Sequence, residues 1–272
     1  MMRLVILGNS HIAAPRLAWT EMAARHPGVE VRFFGGLQTV LAAMTLDAQG
    51  QFGLHPGAQV SDHDRAKTLD LFGALSVDLS GIDALAFCGL DWGIDEILAL
   101  TDAFDIDGLI ESGAPRHLSA RAFDAFARDV AQRSLPDVVW QGWRGRKILM
   151  PRPLPPTRVQ DSDSDWAEAW RRVTPRGMGR VMQRYRDLFA EGAAAQGYGL
   201  CYQPAATLTA QGLTEDRYNQ LPPKFGNLKL PRRADDRVHM NAGFGALWLD
   251  SLIDQLASAA TDEPTLTEIT GG

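Results

Sequence analysis

The chain has 272 residues, of which 45% are hydrophobic and 22% charged, with a formal net charge of −6. That is enough apolar material for one large domain with a real core, and the acidic balance offers no basic footprint for nucleic acid. No apolar run reaches the ~18 residues of a membrane helix, and "MMRLVILGNS" enters a strand-like run almost at once without an export leader, so a cytoplasmic protein with no membrane partner is expected.

The first apolar run, "RLVILG" (residues 3–8), stops at a glycine, and residues 12–26 follow as a helix. "VEVRFFG" (29–35) is a second strand, and residues 45–80 are mixed and fit no single element. "ALAFCG" (84–89) is the third strand. "LSARAFDAFARDVAQRSL" (118–135) is an amphipathic helix with Ser119 at its N-cap. "RKILMP" (146–151) is the fourth strand, and a Pro-rich stretch over 150–170 reads as a surface excursion that walls or covers a site. Residues 174–197 read as one helix, with Thr174 as its cap, Pro175 in its first turn and Gly197 past its end. "GLCYQP" (199–204) is the fifth strand, 241–260 the last helix, and the polar residues 261–272 a frayed tail.

Each strand-like run ends at Gly or Pro and none alternates strictly with polar residues, the pattern of strands covered on both faces. Strands alternating with helices imply βαβ crossovers, hence an α/β fold of three layers, α/β/α, around a largely parallel five-stranded sheet. With neither an internal repeat nor a clean linker, one domain over 1–260 with insertions near 45–80 and 150–170 is expected. In such sheets ligands gather at the carboxyl ends of the strands.

Several side chains read as structural. Cys88 and Cys201 lie in apolar strand-like runs and are expected as buried thiols of a reducing compartment. Neither a CxxC pair nor an HExxH helix occurs and the six histidines show no ligand spacing, so no metal is expected. Arg171, Arg172, Arg176, Arg180 and Arg184 read as a solvated helix face, since acids interleave with them. Trp92, Trp140, Trp143, Trp166 and Trp170 read as packing residues, Trp92 being the one placed to stack on a sugar face.

The chemistry gathers at two ends. A GxSxG elbow, a GxxxxGK phosphate loop and a complete GxGxxG are all absent, so the glycine after the first strand does not sustain a dinucleotide site. Asn9, Ser10 and His11 follow that strand, where Ser10 is either a helix cap or a nucleophile, and His11 a turn or wall residue. In "DDRVHMNAGFGALWLDSL" (235–252), Asp236 stands three residues before His239 in a polar loop ahead of the last helix. One short turn can then hold a carboxylate against the far nitrogen of an imidazole, as a triad requires.

"GNSH" after the first strand, with "DRVHMN" followed by Ala242 and Gly243, resembles the SGNH (GDSL-type) esterase superfamily. The resemblance covers most of the chain in layout and these two motifs in identity. It implies a flavodoxin-like three-layer domain with Ser10 as nucleophile, His239 as general base and Asp236 as its orienting acid; Asp235 stands one residue off the family spacing. It also implies an oxyanion hole from the N–H of Ser10, a glycine N–H after the second strand, here Gly35 or Gly36, and an Asn side chain after the third. At that last position the chain departs from the family, because "FCGLDWG" matches at Gly89 but carries Asp91 in the Asn place. An ionised carboxylate cannot donate to an oxyanion, so either a backbone amide near 90–92 substitutes or the hole has two donors. Asn9 stands where the family commonly has Asp.

The expected function is therefore a serine esterase for small acyl esters, O-acetyl groups on a carbohydrate among them, with no metal or organic cofactor. An O-acyltransferase using the same triad, and a catalytically weakened member that binds a glycan or a partner protein, are the alternatives. The sequence does not disclose the oligomeric state.

Overall fold

A computed structural model describes residues 1–111, 116–136, 143–233 and 235–261. Trp140 and residues 262–272 of the expected tail lie outside the described residues. Five strands form one sheet: β1 (Met2–Gly8), β2 (Val29–Gly35), β3 (Ala84–Leu90), β4 (Arg146–Pro151) and β5 (Gly199–Leu200). Their order is β5-β4-β3-β1-β2, and every neighbouring pair is parallel. The α/β class and the parallel five-stranded sheet are as expected. β5 is shorter than expected: the Cys201 amide still donates to the Leu149 carbonyl, but the strand itself ends at Leu200.

The helices are α1 (Ala13–Met22), α2 (Asp62–Phe72), α3 (Ile94–Ala103), α4 (Ala120–Ser134), α5 (Asp165–Val173), α6 (Met178–Ala195) and α7 (Ala242–Thr261). Period-two alternation along β1 divides its side chains between two cores. Leu4 and Ile6 pack with Ala14, Ala18, Phe244 and Trp248 of α1 and α7. Val5 and Leu7 pack with Ile97, Phe123, Val181 and Phe189 of α3, α4 and α6 on the other face. This is the three-layer arrangement, and it explains why β1 carries no polar alternation. Among the described residues no helix is long and apolar enough to cross a membrane.

One stretch is mixed as expected, and two others differ from expectation. Residues 45–80 hold a small antiparallel sheet of Thr45–Leu46, Gln51–Gly53 and Ser76–Asp78, with α2 between its last two strands. The helix expected over 174–197 begins only at Met178, because Gly177 takes a left-handed conformation (φ 111°) after α5 has ended at Val173. The Pro-rich stretch is not a surface excursion: Leu154, Val159, Ala167 and Trp170 are buried, and Thr157–Asp161 forms a short 3-10 turn.

The arginine cluster also departs from a merely solvated face. Arg172 forks onto Asp102 at 2.8 and 2.6 Å, Arg184 onto Asp124 at 2.9 and 2.5 Å, and Arg176 reaches the buried Asp105 at 2.9 Å. These pairs join α3, α4 and the segment between them to α5, α6 and the turn between those two helices.

Candidate active site

The strand order reverses between β1 and β3, so the crevice of this sheet opens at their carboxyl ends. β1 delivers Gly8, Asn9 and Ser10 to that point. The Asn9 side chain accepts the His11 amide at 3.1 Å and donates to the Gly89 carbonyl at 2.8 Å, so it both caps the following turn and ties it to β3. Ser10 thus opens a helical run, the 3-10 turn Ser10–Ile12 continuing into α1. Gly89 makes room for this: it stands at φ 79°, and a Cβ there would lie 2.4 Å from Asn9 Oδ1 and 2.7 Å from the His11 Cβ.

The turn ahead of α7 arrives from 229 positions away. Ser10 Oγ lies 2.7 Å from His239 Nε2. His239 Nδ1 lies 2.9 Å from Asp236 Oδ2 and 3.2 Å from Oδ1. A carboxylate only accepts, so Nδ1 carries the ring proton and Nε2 accepts the serine hydroxyl. Asp236 Oδ1 also takes the amides of Val238 and His239, both at 2.9 Å. Burial of this carboxyl opposes its charge, but the ring and the two amides together outweigh that and hold it well below the usual carboxylate range. The side chains of His239 and Asp236 are 15% and 14% exposed, sheltered yet open to a small ligand.

Arg232 approaches Asp236 Oδ2 at 3.6 Å, and Arg158 donates to the Asp236 carbonyl at 3.0 Å. The His11 ring stacks on His239, centroids 4.8 Å apart and planes at 25°. Burial first, then the neighbouring His239, Arg152 and Arg232, push the pKa of His11 well below its ordinary value, so this second imidazole is a neutral wall. Asp235 faces outward and pairs with Arg233 at 2.9 Å, which leaves Asp236 as the carboxylate at the ring.

Other expected residues are differently placed. The Gly36 amide donates to the Gly8 carbonyl at 3.2 Å. Gly35 pairs with Gly8 on the edge strand, where a Cβ would lie 1.8 Å from the Gly8 carbonyl oxygen, so only glycine fits there. Of the two glycine donors implied by the resemblance, the Gly36 amide is thus already engaged by β1. Asp91 lies 3.3 Å from Arg152 Nε and accepts the Gly93 amide at 3.3 Å, a structural use of the carboxylate. Trp92 is 2% exposed, stacks on Tyr185 and donates to the Arg152 carbonyl at 3.1 Å, so it packs rather than offering a face to a sugar.

A cavity of about 740 Å³ opens beside this point, lined by Gly8, Asn9, Gly89 and Asp91 and, further out, Phe52 and Arg133. Ser10 and His239 are not among its lining residues; the cavity adjoins the pair. Among the described residues no group of three or more His, Cys, Asp or Glu side chains is placed to hold a metal ion. Sequence reasoning missed Arg158, Asn219 and Arg232. Asn219 is fully buried and donates to the His239 carbonyl at 2.5 Å.

No family model matches this chain, and no curated protein matches it. Among solved structures it is similar to a carbohydrate acetylesterase family member from Sinorhizobium meliloti, at 13% identity over 95% of this chain and 98% of that chain, with a TM-score of 0.38.

Proposed function

We propose that this protein is a serine esterase of SGNH type acting on small acyl esters, O-acetylated carbohydrate among them. The observation that carries the reading is the unbroken hydrogen-bonded series Ser10–His239–Asp236, assembled from the two ends of the chain. Ser10 Oγ attacks the acyl carbonyl carbon as its proton passes to His239 Nε2, and Asp236 stabilises the imidazolium. The imidazolium then protonates the departing alcohol as the ester C–O bond breaks, leaving an acyl-serine. Water attacks that intermediate, His239 takes the water's proton, and the carboxylic acid leaves as Ser10 is restored. The chemistry calls for no metal or organic cofactor.

The oxyanion is assigned to the Ser10 N–H at the electropositive start of the helical run Ser10–Met22. Since a missing oxyanion donor typically lowers turnover ~10²–10³-fold, slow turnover is expected from a site whose Gly36 amide is engaged by Gly8 and which carries Asp91 in the Asn place. That same geometry favours, as a second reading, a weakened member that binds a glycan or protein without cleaving it.

Ser10→Ala decides between them. The expected result is loss of p-nitrophenyl acetate turnover and of labelling by a fluorophosphonate, both present in the wild type. Turnover that survives the substitution removes Ser10 from the mechanism. A wild type inert towards a broad ester panel supports the binding reading.

A further inference from the structure

The bonds within the Asp236–His239 turn fix the carboxylate against the ring, but they do not fix the turn against Ser10. Its main-chain carbonyls share that task with Arg237 Nε, which donates to the Arg158 carbonyl, and with the adjoining Asn241 amide, which donates to the Tyr218 carbonyl. Arg158 Nη2 donates to the Asp236 carbonyl at 3.0 Å, and Asn219 Nδ2 to the His239 carbonyl at 2.5 Å, so the first and last residues of the turn are each held. The two donors are tied to one another: Arg158 Nε donates to Asn219 Oδ1 at 2.5 Å and Nη2 to the Asn219 carbonyl at 3.1 Å.

Arg158 is itself anchored. Its amide donates to Asp216 Oδ1 at 2.8 Å and its carbonyl accepts from Arg237 Nε at 3.2 Å. The Thr157 amide donates to the Thr214 carbonyl at 3.0 Å. The guanidinium forks between fixed acceptors, a geometry that a lysine ammonium cannot reproduce.

We propose that Arg158 and Asn219 are positioning residues that lock the Asp236–His239 turn at the distance where His239 meets Ser10, so that the Pro-rich segment serves as a brace for the site. The inference rests on the esterase reading for its kinetic consequence. Neither side chain is bonded to Ser10 or lines the adjoining cavity. Loosening them misplaces the base without changing what the substrate touches.

The test uses the full chain with p-nitrophenyl acetate. In Arg158→Ala and Asn219→Ser, kcat is expected to fall about 10–10²-fold, with KM within about twofold of wild type. Ethylguanidinium added to Arg158→Ala restores kcat saturably, whereas Arg158→Lys restores less, which a generally loosened fold would not do.

Hydrogen exchange keeps the proposal open to refutation if turnover is too slow or a variant folds poorly. In Asn219→Ser, the amides of Val238 and His239 are expected to exchange at least about tenfold faster while those of α4 keep their protection. Unchanged exchange at these two amides overturns the brace, as does a kcat within about twofold of wild type in both variants. Loss of turnover in Ser10→Ala alongside such unchanged variants leaves the esterase reading standing without the brace. Turnover that survives Ser10→Ala defeats the esterase reading, and exchange then judges the brace alone.

Discussion

The carboxylate of Asp236 is divided between backbone and ring: Oδ1 accepts from the amides of Val238 and His239, and Oδ2 stands nearest Nδ1. Asparagine fits the same space, and its oxygen keeps the two amides. Its NH₂ then faces Nδ1, the imidazole proton shifts to Nε2, and Nε2 can no longer accept from Ser10. Asp236→Asn is therefore expected to lower kcat by ~10³–10⁴-fold in p-nitrophenyl acetate assays. The pH dependence has a definite sign. The folded pKa of Asp236 is depressed, so its stabilisation is complete above the ordinary carboxylate range, declines as pH falls below that range and is gone once pH has passed through the lower folded value. The variant's stability deficit, read from urea midpoints, is expected to be full at pH 7 and to shrink below about pH 4. Ser10 and the Asp236–His239 pair were legible in the sequence because two short motifs carry them, while their meeting was implied only by the resemblance to the SGNH superfamily. Arg158 and Asn219 were not legible, because their acceptors are main-chain carbonyls, which every residue carries and no pattern marks. Gly36 misled for a related reason: a motif fixes where a glycine sits, not what its N–H bonds.

Two helices bring the motifs together. α1 leads away from Ser10 and α7 leads away from His239, and the two pack against each other at Gly245, where a Cβ would lie 2.4 Å from the backbone carbon and oxygen of Ala14 and 2.6 Å from Pro15 N. Backbone cannot swing aside as a side chain can, so Gly245→Ala must push the helices apart. A cost of about 1–3 kcal/mol is expected in urea denaturation, with a loss of turnover beyond what the unfolded fraction explains. Gly243→Ala is the control: its nearest neighbour is Asn241 Oδ1 at 3.4 Å, and a change within about 0.5 kcal/mol is expected. Four of the strands and the helices α1, α4 and α7 were readable because apolar periodicity and a stop signal coincide in each. Ser119 caps α4 as expected, accepting the Ala122 amide at 3.2 Å. Residues 45–80 were unreadable because their strands are only two or three residues long, too short to show a period. The Pro-rich segment misled because its composition resembles a surface loop, while Val159 and Trp170 bury themselves in tertiary contacts.

At the scale of the molecule, the sheet divides the interior into two cores, and the thiols lie in the one that joins the two ends of the chain. Cys88 and Cys201 are both free and buried, beneath α1 and α7 with Phe244, Trp248 and Leu249. Trp248 Nε1 donates to the Cys201 carbonyl at 3.0 Å, so α7 seals that thiol directly. Burial pushes the Cys201 thiol up to about 12 and that of Cys88 higher still, with Cys201 adding to the shift at Cys88. At pH 8 such a thiol stays protonated, and the thiolate is the reactive form. Reagent must then wait for α1 and α7 to lift from the sheet, the motion that also parts Ser10 from His239. In native buffer, neither cysteine is expected to react with an aromatic disulfide reagent over the time in which a free model thiol reacts to completion. Across a urea series, both are expected to become reactive in one transition whose midpoint matches the loss of turnover and of far-ultraviolet ellipticity. If one thiol reacts in buffer while turnover is intact, α7 opens independently of the site it is held to support, and the coupling of core to crevice is wrong.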